Sequence, residues 1–167
     1  QPPARFRRGT GGEAVDLDDC MVCEGSIIRG AQLRESLVGY DCSIDADARV
    51  DESLLMSGCK IGSGARLSRV LADKNCLIEP GALIGLDPIS DRKRFPFITE
   101  NGIIVLPKGT RVPANGPIEF ASDIGELIFV DPSTKTALEE VEITPRIAGH
   151  TRHSYRSAGP GTTRPPT

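Results

Sequence analysis

The sequence predicts an all-β fold: a parallel β-helix of about four triangular coils followed by an irregular C-terminal extension. Three observations carry that expectation. First, the segment from Asp18 to Gly85 repeats four times with a period of 17 residues, as DDCMVCEGSIIRGAQLR, ESLVGYDCSIDADARVD, ESLLMSGCKIGSGARLS and RVLADKNCLIEPGALIG. Second, the stacked rows give aliphatic columns six positions apart: Met21, Val38, Leu55 and Ala72, then Ile27, Ile44, Ile61 and Ile78, then Leu33, Val50, Leu67 and Ile84. Third, a small residue follows four places after the first two columns, namely Gly25, Cys42, Cys59 and Cys76, then Ala31, Ala48, Ala65 and Ala82. A large aliphatic and a small residue recurring every six positions is the hexapeptide β-helix pattern.

Each six-residue unit supplies one short strand and one bend, and three units close a coil. Two sixes and a five make the period, so one corner of every coil is shortened by a residue. Coils stacked at the parallel-strand spacing of ~4.8 Å turn the aliphatic columns into ladders that fill the prism. A helical array is excluded because no apolar rhythm of 3.6 residues runs inside the repeat.

Residues 1–17 (QPPARFRRGTGGEAVDL) have no period and read as a Pro, Arg and Gly-rich leading segment or linker. The coils occupy 18–85. Residues 86–112 break the period, with a basic run at Arg92, Lys93 and Arg94 and then a strand signal at Ile103–Leu106. Residues 113–144 form an extension of unknown role, with a second strand candidate at Leu127–Val130 and a short helix candidate, Ser133–Val141, that Ser133 could cap. Residues 145–167, rich in Gly, Pro, Arg and Thr, are expected to be a disordered tail.

Composition narrows the function classes. The 167 residues allow one domain with appendages, and a 4 % aromatic content without Trp suits a narrow aliphatic prism. A net charge of -3 gives no global pull toward nucleic acid or a membrane surface, so neither is expected as a partner. No stretch approaches the ~18 apolar residues of a membrane helix. The start at Gln1, without Met or signal peptide, suggests a piece of a longer cytoplasmic polypeptide.

The coils offer little catalytic chemistry. Cys42, Cys59 and Cys76 share one interior column and read as small core residues. Stacked at ~4.8 Å they stand beyond the usual Cβ separation of a disulfide, about 3.8 Å. Cys20 and Cys23 form a single C-x-x-C, whereas zinc ribbons need two, and no metal site is expected. Cys20 falls in the column of Leu37, Leu54 and Leu71 and reads as core. The only histidines, His150 and His153, lie in the expected disordered tail, where a general base is not held in reach of its proton. Asp45 and Asp47 read as solvated corners, and Gly62-Ser63-Gly64 as a corner of the repeat rather than a phosphate loop. No catalytic residue is assigned.

The basic residues are more informative. Lys74 sits in a corner column otherwise made of Cys23, Tyr40 and Ser57, so charge appears there only in the last coil. Arg92, Lys93, Arg94, Lys108 and Arg111 follow where the chain leaves the regular prism. If that segment folds back over the end coil, the charges could converge on an anion such as a sugar phosphate. The alternative is a solvated rim.

Several strings resemble the C-terminal domain of bacterial glucose-1-phosphate adenylyltransferases. They are PPARF at the start, the S-x-C-x-I-G-x-G-A-x-L style of coil, the exit VLADKNCLIEPGALIG, and DRKRFPFITENGIIVLPKG, which is similar to that family's D-x-x-R-F motif and G-I-V-L-V strand. The likeness spans roughly residues 2–112, and residues 113–167 have no counterpart in it. It implies a left-handed β-helix that regulates and assembles an enzyme making ADP-glucose for glycogen. It also implies that the catalytic nucleotidyltransferase domain, with its Mg and ATP, lies elsewhere, so this chain holds no cofactor and is inactive alone. The implied partners are that N-terminal domain, other subunits of a homotetramer, and a phosphorylated sugar effector. By the resemblance Lys74 and Lys108 stand where the family has effector-binding Arg residues, and Arg111 lies near a third basic position. Lysine keeps the charge and loses the bidentate fork. The rival readings are a free-standing hexapeptide acyltransferase, opposed by the missing coil histidine, and a purely structural β-helix.

Overall fold

In a computed structural model of the protein, which describes residues 1–121, three parallel sheets form the three faces of a prism. The chain winds through β1 (Arg5–Arg7), β2 (Asp16–Asp18) and β3 (Met21–Val22), then β4 (Ile27–Arg29), β5 (Gln32–Arg34) and β6 (Leu37–Val38). The next coils are β7 (Ser43–Ile44), β8 (Arg49–Asp51) and β9 (Leu54–Leu55), then β10 (Lys60–Ile61), β11 (Arg66–Ser68) and β12 (Val70–Ala72). The last begins with β13 (Leu77–Ile78) and β14 (Leu83–Ile84), is interrupted by the helix α1 (Pro88–Arg94), and resumes with β15 (Ile104–Leu106) and β16 (Arg111–Val112).

One face stacks β1, β4, β7, β10, β13 and β16; the second stacks β2, β5, β8, β11 and β14; the third stacks β3, β6, β9, β12 and β15. Every one of these pairings is parallel. This is the expected β-solenoid of about four turns, with a single short helix among the described residues, and it accords with a left-handed β-helix. The leading segment carries β1 and the start of β2, which pair with β4 and β5 and so lengthen the prism. Its side chains gave no apolar column because it lies at the open end, where Arg5, Phe6 and Arg7 are all exposed.

The three aliphatic ladders form as the columns predict for three coils. Ile44, Ile61 and Ile78 are buried on one face, Leu33, Val50, Leu67 and Ile84 on another, and Val38, Leu55 and Ala72 on the third. The first row departs from the 17-residue register. Ile28 pairs with Ile44 and is fully buried, while Ile27 pairs with Ser43 and is only half-buried. Val22 likewise takes the place expected of Met21, which is 63 % exposed. The cause is the corner after β4. Only Arg29, Gly30 and Ala31 separate Ile28 from Gln32, whereas Asp45, Ala46, Asp47 and Ala48 separate Ile44 from Arg49 in the next coil. A corner one residue shorter shifts everything before it by one position, and in a strand one position exchanges the inward for the outward face.

The same shift relocates Cys20. Because Met21 aligns with Leu37, Cys20 falls in the corner column of Ser36, Ser53 and Val70, where it is partly buried against the core. Ser36 and Ser53 are buried, and the Oγ of each accepts from a backbone N–H one coil on, Ser53 at 3.1 Å and Val70 at 3.0 Å. Corners turn through left-handed residues, among them Glu35, Glu52 and Arg69 in one column. In the adjacent column Gly85, stacked on Ser68, has φ 81°, and a Cβ there would stand 1.9 Å from the Ser68 carbonyl oxygen. Only glycine fits there. The strand and helix candidates at Leu127–Val130 and Ser133–Val141, His150, His153 and the expected disordered tail lie outside the described residues.

Candidate anion site at a basic corner

The corner between the third and first faces is built by a ladder of backbone hydrogen bonds. Asp41 N–H donates to the Glu24 carbonyl at 3.1 Å, Gly58 to Tyr40 at 2.8 Å, Asn75 to Ser57 at 3.0 Å and Gly109 to Lys74 at 2.9 Å. These bonds align Glu24, Tyr40, Ser57, Lys74 and Lys108 as one column. The expected member Cys23 is replaced by Glu24 through the shift in the first coil. Lys74 and Lys108 therefore occupy the same corner of successive coils, with backbones about 4.8 Å apart, although 34 residues separate them in the chain. Both are exposed. Neither has a carboxylate within 4.0 Å among the described residues. Two like charges on neighbouring rungs repel, and an anion bound between them relieves that repulsion.

Arg111 belongs to another environment. It lies on β16, in register with Leu77, and its guanidinium bonds to Glu79 and, at 3.1 Å, to Glu119. These two carboxylates hold its pKa above the ordinary arginine value, by the bond to Glu79 first and the bond to Glu119 second. Its charge is already compensated. The basic run divides as well. Arg94 donates to the carbonyls of Leu83 at 3.0 Å and Pro113 at 3.3 Å, and its guanidinium lies 5.2 Å from the centroid of the buried Phe95 ring. It fastens α1 to the prism, leaving Arg92 and Lys93 exposed.

The cysteine column has a use that its apolar reading does not include. Ser26, buried in the place expected of Gly25, donates from Oγ to the Gly39 carbonyl at 2.7 Å. Cys42 Sγ bonds to the Met56 carbonyl at 3.2 Å, Cys59 to Asp73 at 3.1 Å and Cys76 to Pro107 at 3.2 Å. Thr110 Oγ1, at the same corner one coil on, donates to Pro107 at 2.6 Å. The column selects small side chains with a donor, which satisfies carbonyls at the turns leading to the next coil. All five cysteines are free. Among the described residues no cluster of three or more His, Cys, Asp or Glu could hold a metal ion, and no helix is long and apolar enough to cross a membrane.

Prism, hexapeptide ladders and interrupted last coil define a class, and comparison with known families agrees: residues 2–106 match the family described as GlmU-like, C-terminal hexapeptide, and the chain belongs to it. Among named proteins it is similar to glucose-1-phosphate adenylyltransferases. With that of Paenarthrobacter aurescens (strain TC1) it is 55 % identical over 120 residues, 72 % of this chain and 26 % of the relative. With that of Arthrobacter sp. (strain FB24) it is 39 % identical over 138 residues, 83 % of this chain and 30 % of the relative. Glucose-1-phosphate adenylyltransferase 1 of Vibrio parahaemolyticus is 40 % identical over 111 residues, 66 % of this chain and 27 % of the relative. The chain thus spans less than a third of the length of these relatives. A match of 138 residues within a chain of 167 reaches beyond residue 112 wherever it begins. The expectation that nothing after residue 112 has a counterpart is corrected to that extent.

Proposed function

We propose that this chain is the regulatory and assembly β-helix of a glucose-1-phosphate adenylyltransferase, the enzyme that makes ADP-glucose for glycogen. In this reading a phosphorylated sugar effector binds at the corner formed by Lys74 and Lys108. The catalytic nucleotidyltransferase domain, with its Mg and ATP, is the chain's N-terminal partner, and further subunits complete a cytoplasmic homotetramer. The observation that carries the reading is the placement of the two lysines in one corner column, in a chain similar to proteins that bear that enzyme's name. The free-standing acyltransferase reading has no histidine within the coils to act as base.

The regulatory reading separates binding from chemistry. ATP and glucose 1-phosphate presented to the purified chain should release no pyrophosphate above background, while the longer polypeptide that carries it should release pyrophosphate and form ADP-glucose. Turnover by the 167-residue chain alone would overturn the assignment.

A further inference from the structure

Between β14 and β15 the chain leaves the prism, forms α1, turns at Thr99–Gly102 and returns, and this excursion encloses a cavity of about 390 Å3. Its wall includes Pro88, Ile98 and Ile104 as apolar surface and Arg69, Arg92 and Glu100 as charged rim. Asp91 also lines it. That aspartate is the one buried residue of α1, with 5 % of its surface exposed. Asp87 already caps the helix, accepting from the N–H groups of Ile89 at 3.1 Å and Ser90 at 3.4 Å. Asp91 is therefore not needed as a cap.

Its carboxylate accepts no hydrogen bond from any described side chain or backbone N–H, and no cation lies within 4.0 Å. Neither of its oxygens is sealed from the surface without a partner. Its oxygens therefore keep access to the surface, and the cavity that Asp91 lines is the open space beside it. Buried carboxylates in folded proteins are almost always hydrogen-bonded, because an unsatisfied one carries a desolvation penalty. A first-turn carboxylate would serve the helix dipole as well from the solvent side, at less cost. Asp91 is instead buried beside the cavity.

We propose that this cavity binds a neutral polyhydroxy ligand, a hexopyranose unit, with Asp91 accepting from its hydroxyls. The wall carries two carboxylates and two guanidiniums, so a ligand with net charge of either sign would leave one pair opposed. A hydroxyl donates to a carboxylate and accepts from a guanidinium, and so suits both. The C–H face of a pyranose ring packs on Ile98, Ile104 and Pro88. Arg69 is the positioned donor: its guanidinium is bonded to the Asn101 carbonyl and its Nε lies 4.0 Å from Glu52. Arg92 has no ion-pair partner among the described residues and can close on the ligand. The inference does not depend on the reading of Lys74 and Lys108, which lie in a separate corner column.

The test is a titration of the 15N-labelled chain with D-glucose, and separately with inorganic phosphate and L-arginine, followed by two-dimensional NMR. Glucose should give saturable shifts at the amides of Asp91, Thr99 and Gly102, and phosphate and arginine should not. Asp91→Asn should raise the glucose midpoint about tenfold or more, the loss expected for hydrogen bonds to a charged group. Asp45→Asn, which removes a surface partner of Arg29 elsewhere on the prism, should leave it unchanged. Should Asp91→Asn lose the dispersed spectrum of the folded chain, Arg92→Ala, at an exposed position, provides the second measurement and should weaken binding severalfold. Glucose that shifts none of these amides, variants that bind as well as the parent, or saturation by arginine in preference to glucose would overturn the proposal.

Discussion

At the scale of single residues, the interior of the prism is chosen for more than size. Ser26, Cys42, Cys59 and Cys76 repeat one task, donating to a carbonyl of the next coil, while Thr110 donates within its own corner. Their burial was legible, since small residues recur at that column; their donor role was not, because a cysteine reads equally well as a small hydrophobe. The role has a chemical consequence. Hydrogen bonding with Cys59 and burial push the Cys42 thiol well above the usual thiol range. Thiolate is the reactive form. We expect a thiol reagent at neutral pH to label Cys20 and Cys23, which are half-exposed, and to spare Cys42, Cys59 and Cys76 until the chain is unfolded, Cys76 by burial alone because its hydrogen bond with Cys59 lowers its pKa. Mass spectrometry of the labelled peptides checks this, and rapid native labelling at Cys42 would contradict it. Arg111 teaches the converse lesson. Its charge was visible in sequence, but its pairing with Glu79 and Glu119 required the coordinates, since Glu79 sits a full coil away.

At the scale of elements, the coil register was legible wherever the corners keep one length. Three rows obey the 17-residue period because their corners are equal, and the first does not because its Gly30 corner is shorter by a residue. A period fitted to four rows absorbs such a deletion silently, since Ile27 and Ile28 are both isoleucine and either fills the column. The structure separates them. Ile28→Ala removes a fully buried side chain from the ladder and should destabilise the fold by ~2–5 kcal/mol. Ile27→Ala, at a half-buried outward position, should cost clearly less. Ile61→Ala, in a coil where the period holds, should match Ile28→Ala in magnitude. Chemical denaturation of the three variants decides the register, and a larger loss at Ile27 than at Ile28 would refute it. The strands β1 and β2 were missed for a related reason: the end of a solenoid has neighbours on one side only, so its sequence carries no alternation to detect.

At the scale of the whole molecule, the prism turns positions far apart in sequence into neighbours on one edge. Lys74 and Lys108 become adjacent because the helical excursion between them returns the chain to the same corner one coil later. The sequence held the clue that both follow aliphatic strands, but only the backbone ladder aligns them. Charge-assisted bonds to a phosphate contribute on the order of 1.5–3 kcal/mol each, so losing one lysine should weaken effector binding about tenfold or more. Arg5, exposed on β1 at the opposite end of the prism and in register with Ile27, belongs to no such pair and is the control. The measurement that tests the regulatory reading most directly is the activation curve of the proposed full-length enzyme against a phosphorylated sugar, with fructose bisphosphate as the probe. Lys74→Ala and Lys108→Ala should each shift the half-activating concentration upward by about tenfold or more, in line with the loss of one ionic phosphate contact, and Arg5→Ala should leave it in place. Curves for both lysine variants that superimpose on the parent would contradict the account and leave the corner a solvated rim.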